Sequence, residues 1–300
     1  MLVIAGGDAD PNILWLARRL ASDGLAHLML GAGIASTPRL VWRLADDRLW
    51  VNGVEIKPTA VFLRYDVFAH AKDPRPERQK QAGSWYHTML SWTLAHEEVA
   101  FLNRRYGARQ TSKPYVLHLA SRLGLAIPES LVTNDVQVFD RLDLDEWITK
   151  PVTGGEYTVV LADALKDPAW GGRWGESPAI LQRRLIAPDL RVYRVGETWF
   201  GFELRSEKLD YRIDVDVKIT ALAPPSDLTR PLGQLMERLG LDFGAADFKR
   251  CPETGDYRFL EVNSAPMFSA FDRVVSGALS GAILDWRVAR IAEPQFGLPR

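Results

Sequence analysis

The sequence predicts an α/β fold, and two stretches of the chain carry that prediction. In the first, the apolar run Leu2–Ala5 is followed by Gly6-Gly7 and a helix start at Pro11, and a second apolar run covers Ala26–Leu30. Strand, glycine turn, helix and strand in this order are typical of a βαβ unit in a parallel sheet. In the second, strand-like runs follow one another closely between residues 179 and 219, which predicts an antiparallel sheet.

Length and composition limit the class of protein. A chain of 300 residues predicts roughly two domains. Its 47% hydrophobic and 25% charged residues are typical of a soluble globular protein, and its net charge of −1 argues against a protein that coats nucleic acid. No apolar run approaches the ~20 residues that span a bilayer, and no basic segment precedes the first apolar run, so neither a membrane span nor a signal peptide is expected. The single cysteine, Cys251, excludes an internal disulfide and a cysteine zinc cluster, and the expected location is the cytoplasm.

The remaining elements follow from apolar periodicity and turn residues. The further predicted strands are Arg48–Val51, Glu55–Ile56, Ala60–Arg64, Ser130–Thr133, Trp147–Pro151, Tyr157–Leu161, Ala179–Leu185, Leu190–Val195, Thr198–Glu203 and Ile213–Ile219. The further predicted helices are Ser84–Asn103, Tyr115–Leu123, Leu228–Leu239 and Arg273–Ile291. Asn52-Gly53 predicts a tight hairpin turn. His87 and His96 lack the HExxH spacing of a zinc site and are interpreted as residues on a helix face.

A hairpin near the C-terminal end groups polar side chains. The predicted strands Phe243–Arg250 and Tyr257–Val262 flank a turn, and a hairpin centred on Thr254 places Asp247 directly opposite Glu261. Asn263 lies two residues beyond Glu261 and therefore on the same face, whereas a slip of one residue would reverse the faces. Two carboxylates and an amide oxygen suit Mg²⁺, which completes its coordination with water and phosphate oxygens. The alternative is a surface hairpin with solvated acids.

Basic residues near strand ends are candidates for binding anions. Lys150 ends a predicted strand just before Gly154-Gly155, where glycines let backbone N–H groups approach a phosphate. The Walker pattern GxxxxGK[ST] is missing, so the chain is no P-loop protein, and Lys150 could equally be a surface lysine. Arg191 and Arg212 could bind phosphate or carboxylate through two parallel hydrogen bonds, or could pair with nearby acids. Gly31-Ala32-Gly33 is only a fragment of a dinucleotide fingerprint and is interpreted as a turn.

Taken in order, these segments resemble the ATP-grasp ligases, and within them the ribosomal-protein glutamate ligases and the ligases that crosslink microviridin-type peptides. The resemblance covers about residues 84–270 and is strongest at its last piece. The matching pieces are SKPYVLHLASRLGLAIPESLVTND (112–135), ITKPVTGG (148–155), ILQRRLIAPDLRVYRVG (180–196), KLDYR (208–212) and AADFKR…YRFLEVNSAPMF (245–268).

The resemblance implies a role for each matching residue. Asp247, Glu261 and Asn263 would hold Mg²⁺, with two ions expected, and Arg191 and Arg212 would act on phosphate or acyl-phosphate oxygens. The residues implied for ATP binding are Lys113 and Lys150 on the phosphates, Gly154 and Gly155 in the glycine loop, Gln182 with the backbone of Arg183 and Leu185 at adenine, and Asp189 at the ribose.

The predicted architecture is accordingly an ATP-grasp fold with a Rossmann-like N-terminal domain over residues 1–110, a central small lobe over 111–186 and a C-terminal lobe over 187–300, the two lobes clamping ATP. The resemblance implies an ADP-forming ligase that joins a carboxylate to an amine or hydroxyl through an acyl phosphate. The expected partner is a peptide or protein substrate, with no nucleic acid or membrane, and a homo-oligomer is compatible with the sequence. The alternatives are a ligase for free amino acids or small acids, and a nucleotide-binding protein without ligase activity.

Overall fold

A computed structural model describes residues 1–32, 38–69, 75–107, 112–153, 158–167, 176–207 and 216–292. Contacts divide the chain into two units, of which one comprises residues 105–266 and the other the remainder on both sides. The finer division at residues 110 and 186 stays a prediction. No helix in the described part of the chain is long and apolar enough to cross a membrane.

The elements of the first unit before residue 105 are β1 (Leu2–Gly7), α1 (Pro11–Ser22), β2 (His27–Ala32), β3 (Leu40–Arg43), β4 (Arg48–Val51), β5 (Val54–Ile56), β6 (Ala60–Leu63), α2 (Pro76–Ala95) and β7 (Ala100–Phe101). The elements of the second unit are α3 (Lys113–Arg122), β8 (Ser130–Thr133), β9 (Trp147–Pro151), β10 (Val159–Val160), α4 (Leu161–Lys166), β11 (Ala179–Arg183), β12 (Ile186–Val195), β13 (Thr198–Arg205), β14 (Lys218–Leu222), α5 (Ser226–Arg238), β15 (Phe243–Arg250) and β16 (Tyr257–Asn263). The chain then returns to the first unit with α6 (Ser269–Val274) and α7 (Ala278–Ala292).

The βαβ unit predicted at the N-terminus is confirmed. Strand β1 lies between β2 and β6 and is parallel to both, in a sheet of order β2-β1-β6-β7. Asp10 caps α1 by accepting a hydrogen bond from the backbone N–H of Asn12, and Pro11 takes the first helical position, where no N–H is needed. The predicted hairpin is also present, because Asn52 and Gly53 both adopt positive φ between β4 and β5.

The turn after β1 needs its second glycine. A Cβ added at Gly7 would lie 2.2 Å from the carboxyl carbon of Asp66, so any larger residue would collide with that side chain. Burial raises the pKa of the Asp66 carboxyl, since the charged form loses solvation there. The carboxyl end of the parallel sheet therefore holds a largely enclosed acid beside the glycine turn.

The predicted helix over Ser84–Asn103 was wrong at both ends. The observed α2 begins at Pro76, whose ring suits the first helical position, and ends at Ala95. His96 follows as the C-cap and stacks on Trp92 with ring centroids 4.1 Å apart. Of the apolar residues after it, Ala100 and Phe101 form β7, which pairs in parallel with β6 as the fourth strand of the sheet. Their apolar character reflects sheet pairing and not a helix face.

The second unit contains two sheets, of order β10-β9-β11-β8 and β14-β13-β12-β15-β16. Several predicted strands have shifted ends, such as β12, which begins four residues before its predicted start, and two others differ more. Of the predicted strand Tyr157–Leu161, Val159 and Val160 form β10 and Leu161 already begins α4, whose buried residues Leu161 and Ala164 have helical spacing; Tyr157 lies outside the described part. The strand predicted as Ile213–Ile219 is observed as Lys218–Leu222, where it pairs with β13; its first three predicted residues lie outside the described part.

The single helix predicted over Arg273–Ile291 is two helices. Ser276 and Gly277 have φ of 52° and 85°, and these left-handed conformations reverse the chain between α6 and α7. Buried Asp272 stabilises the break: its Oδ1 accepts from the backbone N–H groups of Leu279 and Ser280 at 2.9 and 3.1 Å. One carboxylate thus satisfies two N–H groups in the first turn of α7.

Asn12 connects the N-terminal βαβ unit to the segment that returns at the end of the chain. Its side chain is fully buried, its Nδ2 donates to Asp10 at 2.7 Å, and its Oδ1 accepts from the backbone N–H groups of Phe268 and Ser269 at 2.7 and 2.9 Å. Asp10 in turn pairs with buried Arg64 at 2.7 Å. The start of α6 is therefore tied to α1 through one amide.

We expect Asn12→Ala to lower the free energy of unfolding by about 2–6 kcal/mol, because the two buried N–H groups of Phe268 and Ser269 lose their acceptor at about 1–3 kcal/mol each. Chemical denaturation measures the change. Arg18→Ala, at an exposed position of the same helix, is the matched control and should shift stability by at most about 0.5 kcal/mol. Equal stability of the two variants would contradict the role given to Asn12.

Candidate functional site

The five-stranded sheet of the second unit has two chemically different faces. One face packs its apolar residues against α3 and α5, and the buried sheet residues of this core are Leu190, Val192, Ala246, Phe248 and Phe259. The opposite face carries the charged residues Arg191 and Asp247, and beside them buried apolar residues such as Phe202 and Ala245. Charged residues are rarely buried in proteins, so the low exposure of Arg191 (6%) and Asp247 (9%) on this face is informative.

Strand register brings the predicted metal ligands together. Asp247 pairs directly with Glu261 between β15 and β16, and on its other side with Arg191 of β12. The hairpin is not centred on Thr254 as predicted, because Phe248 pairs with Phe259 and the turn centre lies half a residue earlier. A β-bulge between the two pairs adds one residue to β16 and restores the predicted Asp247–Glu261 pairing.

Arg191 is held in place by two partners. Its Nη1 donates to both carboxylate oxygens of Asp247, at 2.9 and 3.1 Å. Its Nε donates to the hydroxyl of Tyr193 at 3.0 Å, and the guanidinium carbon lies 5.3 Å from the centroid of that ring. The structure therefore places Arg191 on an acid of the same sheet face, with its orientation fixed from two directions.

The remaining acidic and amide groups converge on Asp247. The Nδ2 of Asn263 lies 3.2 Å from Asp247 Oδ2 and 3.4 Å from Glu261 Oε1. Lys113, at the start of α3, lies 3.7 Å from Glu261 Oε2. The described residues include no group of three or more His, Cys, Asp or Glu side chains that could hold a metal. The two carboxylates fit a Mg²⁺ ion that takes its other ligands from phosphate and water. Asn263 turns its Nδ2 toward them here and would present its Oδ1 to a bound ion.

Lys150 and Gln182 share a face of the four-stranded sheet. Lys150 pairs with Ile180, and Gln182 pairs with Ile148 of the same two strands, so both side chains point away from the apolar cluster around Trp147. Both are buried, with 6% and 0% exposure. Gln182 Nε2 donates to Ser130 Oγ at 2.8 Å, while its Oε1 is buried without a hydrogen-bond partner in the described structure. This orphaned acceptor fits a ligand with an N–H donor, as the implied adenine has.

The other residues predicted to bind the nucleotide are less closely grouped. The backbone N–H of Arg183 donates to Glu129 O at 2.9 Å, and its guanidinium lies 3.4 Å from Glu253 in the hairpin turn. Leu185 is buried just after β11, and Asp189 forms an ion pair with Lys249 at 3.4 Å. Gly154, Gly155 and Arg212 lie outside the described residues.

Three residues around the site were missed in the sequence. Tyr193 and Lys249 lie two residues after Arg191 and Asp247, so strand alternation alone would have placed them on the same face. Ser130 carries no such signal, since it meets Gln182 only because β8 and β11 are paired. Cys251 was interpreted as incidental; its thiol donates to Glu253 at 2.8 Å in the exposed turn.

Comparisons with known proteins give structural matches only. No protein-family model matches the sequence, and neither does any curated protein. Among solved structures, the ATP-grasp ligase PsnB complexed with a minimal precursor matches with TM-score 0.76 and 23% identity over 96% of this chain and 98% of that one.

Two further matches are more distant in sequence. The macrocyclase MdnC of Microcystis aeruginosa MRC, bound with precursor peptide MdnA, matches with TM-score 0.71 and 17% identity over 96% and 99% of the two chains. The D-Ala:D-Ser ligase VanG of Enterococcus faecalis matches with TM-score 0.61 and 13% identity over 97% and 99%. Identities this low establish architecture and leave activity to be argued from the site. The chain has the ATP-grasp fold, as its sequence predicted.

Proposed function

We propose that this protein is an ATP-dependent, ADP-forming ligase that joins a carboxylate to an amine or hydroxyl of a peptide or protein substrate. The observation that carries the proposal is the polar row Arg191–Asp247–Glu261–Asn263, whose first two members are buried, on a sheet whose other face is an ordinary apolar core. Burying charged groups costs stability even when they pair with one another, and buried charges of this kind cluster at binding and catalytic sites. An exposed hairpin with solvated acids would not bury Asp247 to 9%.

The four-stranded sheet supplies a complementary nucleotide surface. Buried Lys150 offers positive charge for a phosphate group, and the orphaned Oε1 of Gln182 offers an acceptor for the amino group of adenine. Both lie on one sheet face, so the charged and the base-contacting ends of a nucleotide would meet the same surface. Solved complexes of PsnB contain Mg and ADP, and a further one contains AMPPNP, which supports ATP and Mg²⁺ as the cofactors here.

Some residues of this chain would hold Mg²⁺, and others would balance the negative charge of the phosphate groups. Asp247, Glu261 and Asn263 would hold Mg²⁺, which when bound draws charge from phosphate oxygens. Lys150 and Lys113 would neutralise further phosphate charge. Arg191, fixed by Asp247 and Tyr193, would face the negative charge that builds up during transfer and stabilise it without reorganising.

Two bond changes complete the proposed reaction. A substrate carboxylate oxygen attacks the γ-phosphorus of ATP, the bond to the bridging oxygen breaks and ADP leaves. An amine or hydroxyl then attacks the acyl carbon, loses its proton, and inorganic phosphate departs with the bonding electrons. Precursor peptides bound to PsnB and MdnC support a peptide as the substrate. The match to VanG, named for D-Ala and D-Ser, favours free amino acids as the second candidate.

We expect Glu261→Gln to abolish ATP-dependent turnover while leaving the melting temperature nearly unchanged. The Glu261 side chain is 27% exposed, so its charge stabilises a bound ion more than it stabilises the fold. Asp247→Asn should also abolish turnover, but it leaves buried Arg191 without its counter-charge and should lower stability by about 3–5 kcal/mol. ADP release and thermal melting measure the two effects, with the exposed turn variant Glu253→Gln as the control. Normal turnover in Glu261→Gln would contradict the assignment of Glu261 as a Mg²⁺ ligand.

Lys150→Ala should weaken the binding of ADP or a non-hydrolysable ATP analogue about ten- to a hundredfold. A charged hydrogen bond to a largely buried phosphate is worth about 1.5–3 kcal/mol, which corresponds to this range. Lys113→Ala should weaken binding in the same direction. Titration calorimetry gives the dissociation constants, and Lys166→Ala, whose side chain is 77% exposed, is the matched control. A dissociation constant unchanged by Lys150→Ala would contradict a role of this lysine in binding the nucleotide.

Arg191→Lys should lower turnover about 10²–10³-fold with a smaller effect on nucleotide affinity, because an ammonium cannot reproduce the planar fork that Asp247 and Tyr193 orient. The assay supplies ATP, Mg²⁺, hydroxylamine and either glutamate- and aspartate-containing peptides or free amino acids. Hydroxylamine traps acyl phosphates as hydroxamates, and the preferred carboxylate identifies the substrate class.

The products of this assay decide the mechanism. Hydroxamate together with ADP and phosphate is the expected outcome. AMP and pyrophosphate would indicate an adenylating enzyme and would contradict the proposed function, as would ATP binding without any hydroxamate from either substrate class.

A further inference from the structure

We infer that Ser130 is a positioning residue that determines which nucleotide base the protein accepts, by fixing the orientation of the Gln182 amide. This inference rests on the proposed function, because it concerns the nucleotide that the proposed reaction uses. Ser130 and Gln182 are direct cross-strand partners of β8 and β11, and their side chains meet at 2.8 Å.

The hydrogen bonds of Ser130 leave one orientation for the amide. The hydroxyl donates its only proton to Pro128 O at 2.7 Å, and a carbonyl oxygen can only accept. The hydroxyl oxygen therefore faces Gln182 as an acceptor, and Gln182 must present its Nε2–H₂ group to it. The reversed amide would bring two acceptor oxygens together. The two hydrogen bonds, from Ser130 to Pro128 and from Gln182 to Ser130, therefore select one of two otherwise similar rotamers of Gln182.

The consequence appears at the other end of the amide. Gln182 Oε1 is buried and has no hydrogen-bond partner in the described structure, and the side chain as a whole has no exposed surface. It lies on the sheet face that also carries Lys150. A buried acceptor of this kind favours a ligand that brings an N–H donor to it and disfavours one that brings a second acceptor.

Purine bases differ in this respect at carbon 6 and at the neighbouring N1, which accepts in adenine and carries a proton in hypoxanthine and guanine. At carbon 6, which Gln182 is inferred to face, adenine carries an amino group and donates, whereas hypoxanthine and guanine carry a carbonyl oxygen and accept. A glutamine that could turn freely would serve both kinds of base. Held by Ser130, it accepts only, so the site should discriminate against 6-oxopurines.

The test compares the binding of ADP and of inosine diphosphate, each with Mg²⁺, by titration calorimetry. The wild-type protein should bind ADP about 10–100-fold more tightly, the range expected from one mismatched buried polar pair. In Ser130→Ala the amide is free to turn, so this ratio should fall about tenfold, mainly through tighter binding of inosine diphosphate. Ser130→Thr retains the hydroxyl and should retain the ratio.

Ser130→Cys keeps the shape of the side chain, with a somewhat larger terminal atom that is a much weaker hydrogen-bonding group, and its ratio should lie between those of the alanine variant and the wild type. It serves as the second test if the alanine variant has a much lower melting temperature than the wild type. A ratio unchanged in Ser130→Ala and Ser130→Cys overturns the inference, including the case in which both nucleotides bind more weakly by the same factor, as a purely structural role predicts. In that outcome wild-type ADP binding still supports the proposed function, whereas a wild-type protein that binds no ADP contradicts both.

Discussion

The ion pair between Arg191 and Asp247 is the interaction on which the candidate site depends. Both groups are buried, and removing either from water is costly unless the other compensates for it. The compensation extends further, since Tyr193 accepts from the same guanidinium and Asn263 contacts the same carboxylate. A site built in this way is arranged before any ligand arrives. Such preorganisation is what electrostatic stabilisation of a reaction requires.

The pair lies on the side of the sheet opposite the core that α3 and α5 cover, because side chains alternate along a strand. Val192 and Ala246 enter that core, and their neighbours Arg191 and Asp247 point to the other face. Packing on one face therefore supports charge on the other. The same division recurs in the four-stranded sheet, where Trp147 and Leu181 pack on one face and Lys150 and Gln182 occupy the other.

Local patterns predicted much of this arrangement, and their failures have physical causes. Phe243–Arg250 and Trp147–Pro151 were predicted with the observed bounds, because turn residues delimit them clearly. The helix over Ser84–Asn103 was misplaced since an apolar run that joins a parallel sheet as β7 resembles a continued helix face. Ser130 could not be found from the sequence, because its contact with Gln182 spans 52 residues and depends on strand pairing. Long-range pairings of this kind leave no trace in local periodicity.

The β-bulge in β16 resolves a conflict between two demands on one short strand. Phe259 is fully buried in the core, and Glu261 belongs to the charged face, yet residues two apart in a regular strand point to the same side. The extra residue rotates the strand between them. Phe259, near the turn, can therefore point into the core, and Glu261 and Asn263 can point to the charged face. One short strand therefore contributes to two separate environments. A change in the packing around Phe259 alters the core on one side of the sheet, and Glu261 and Asn263 face the other side.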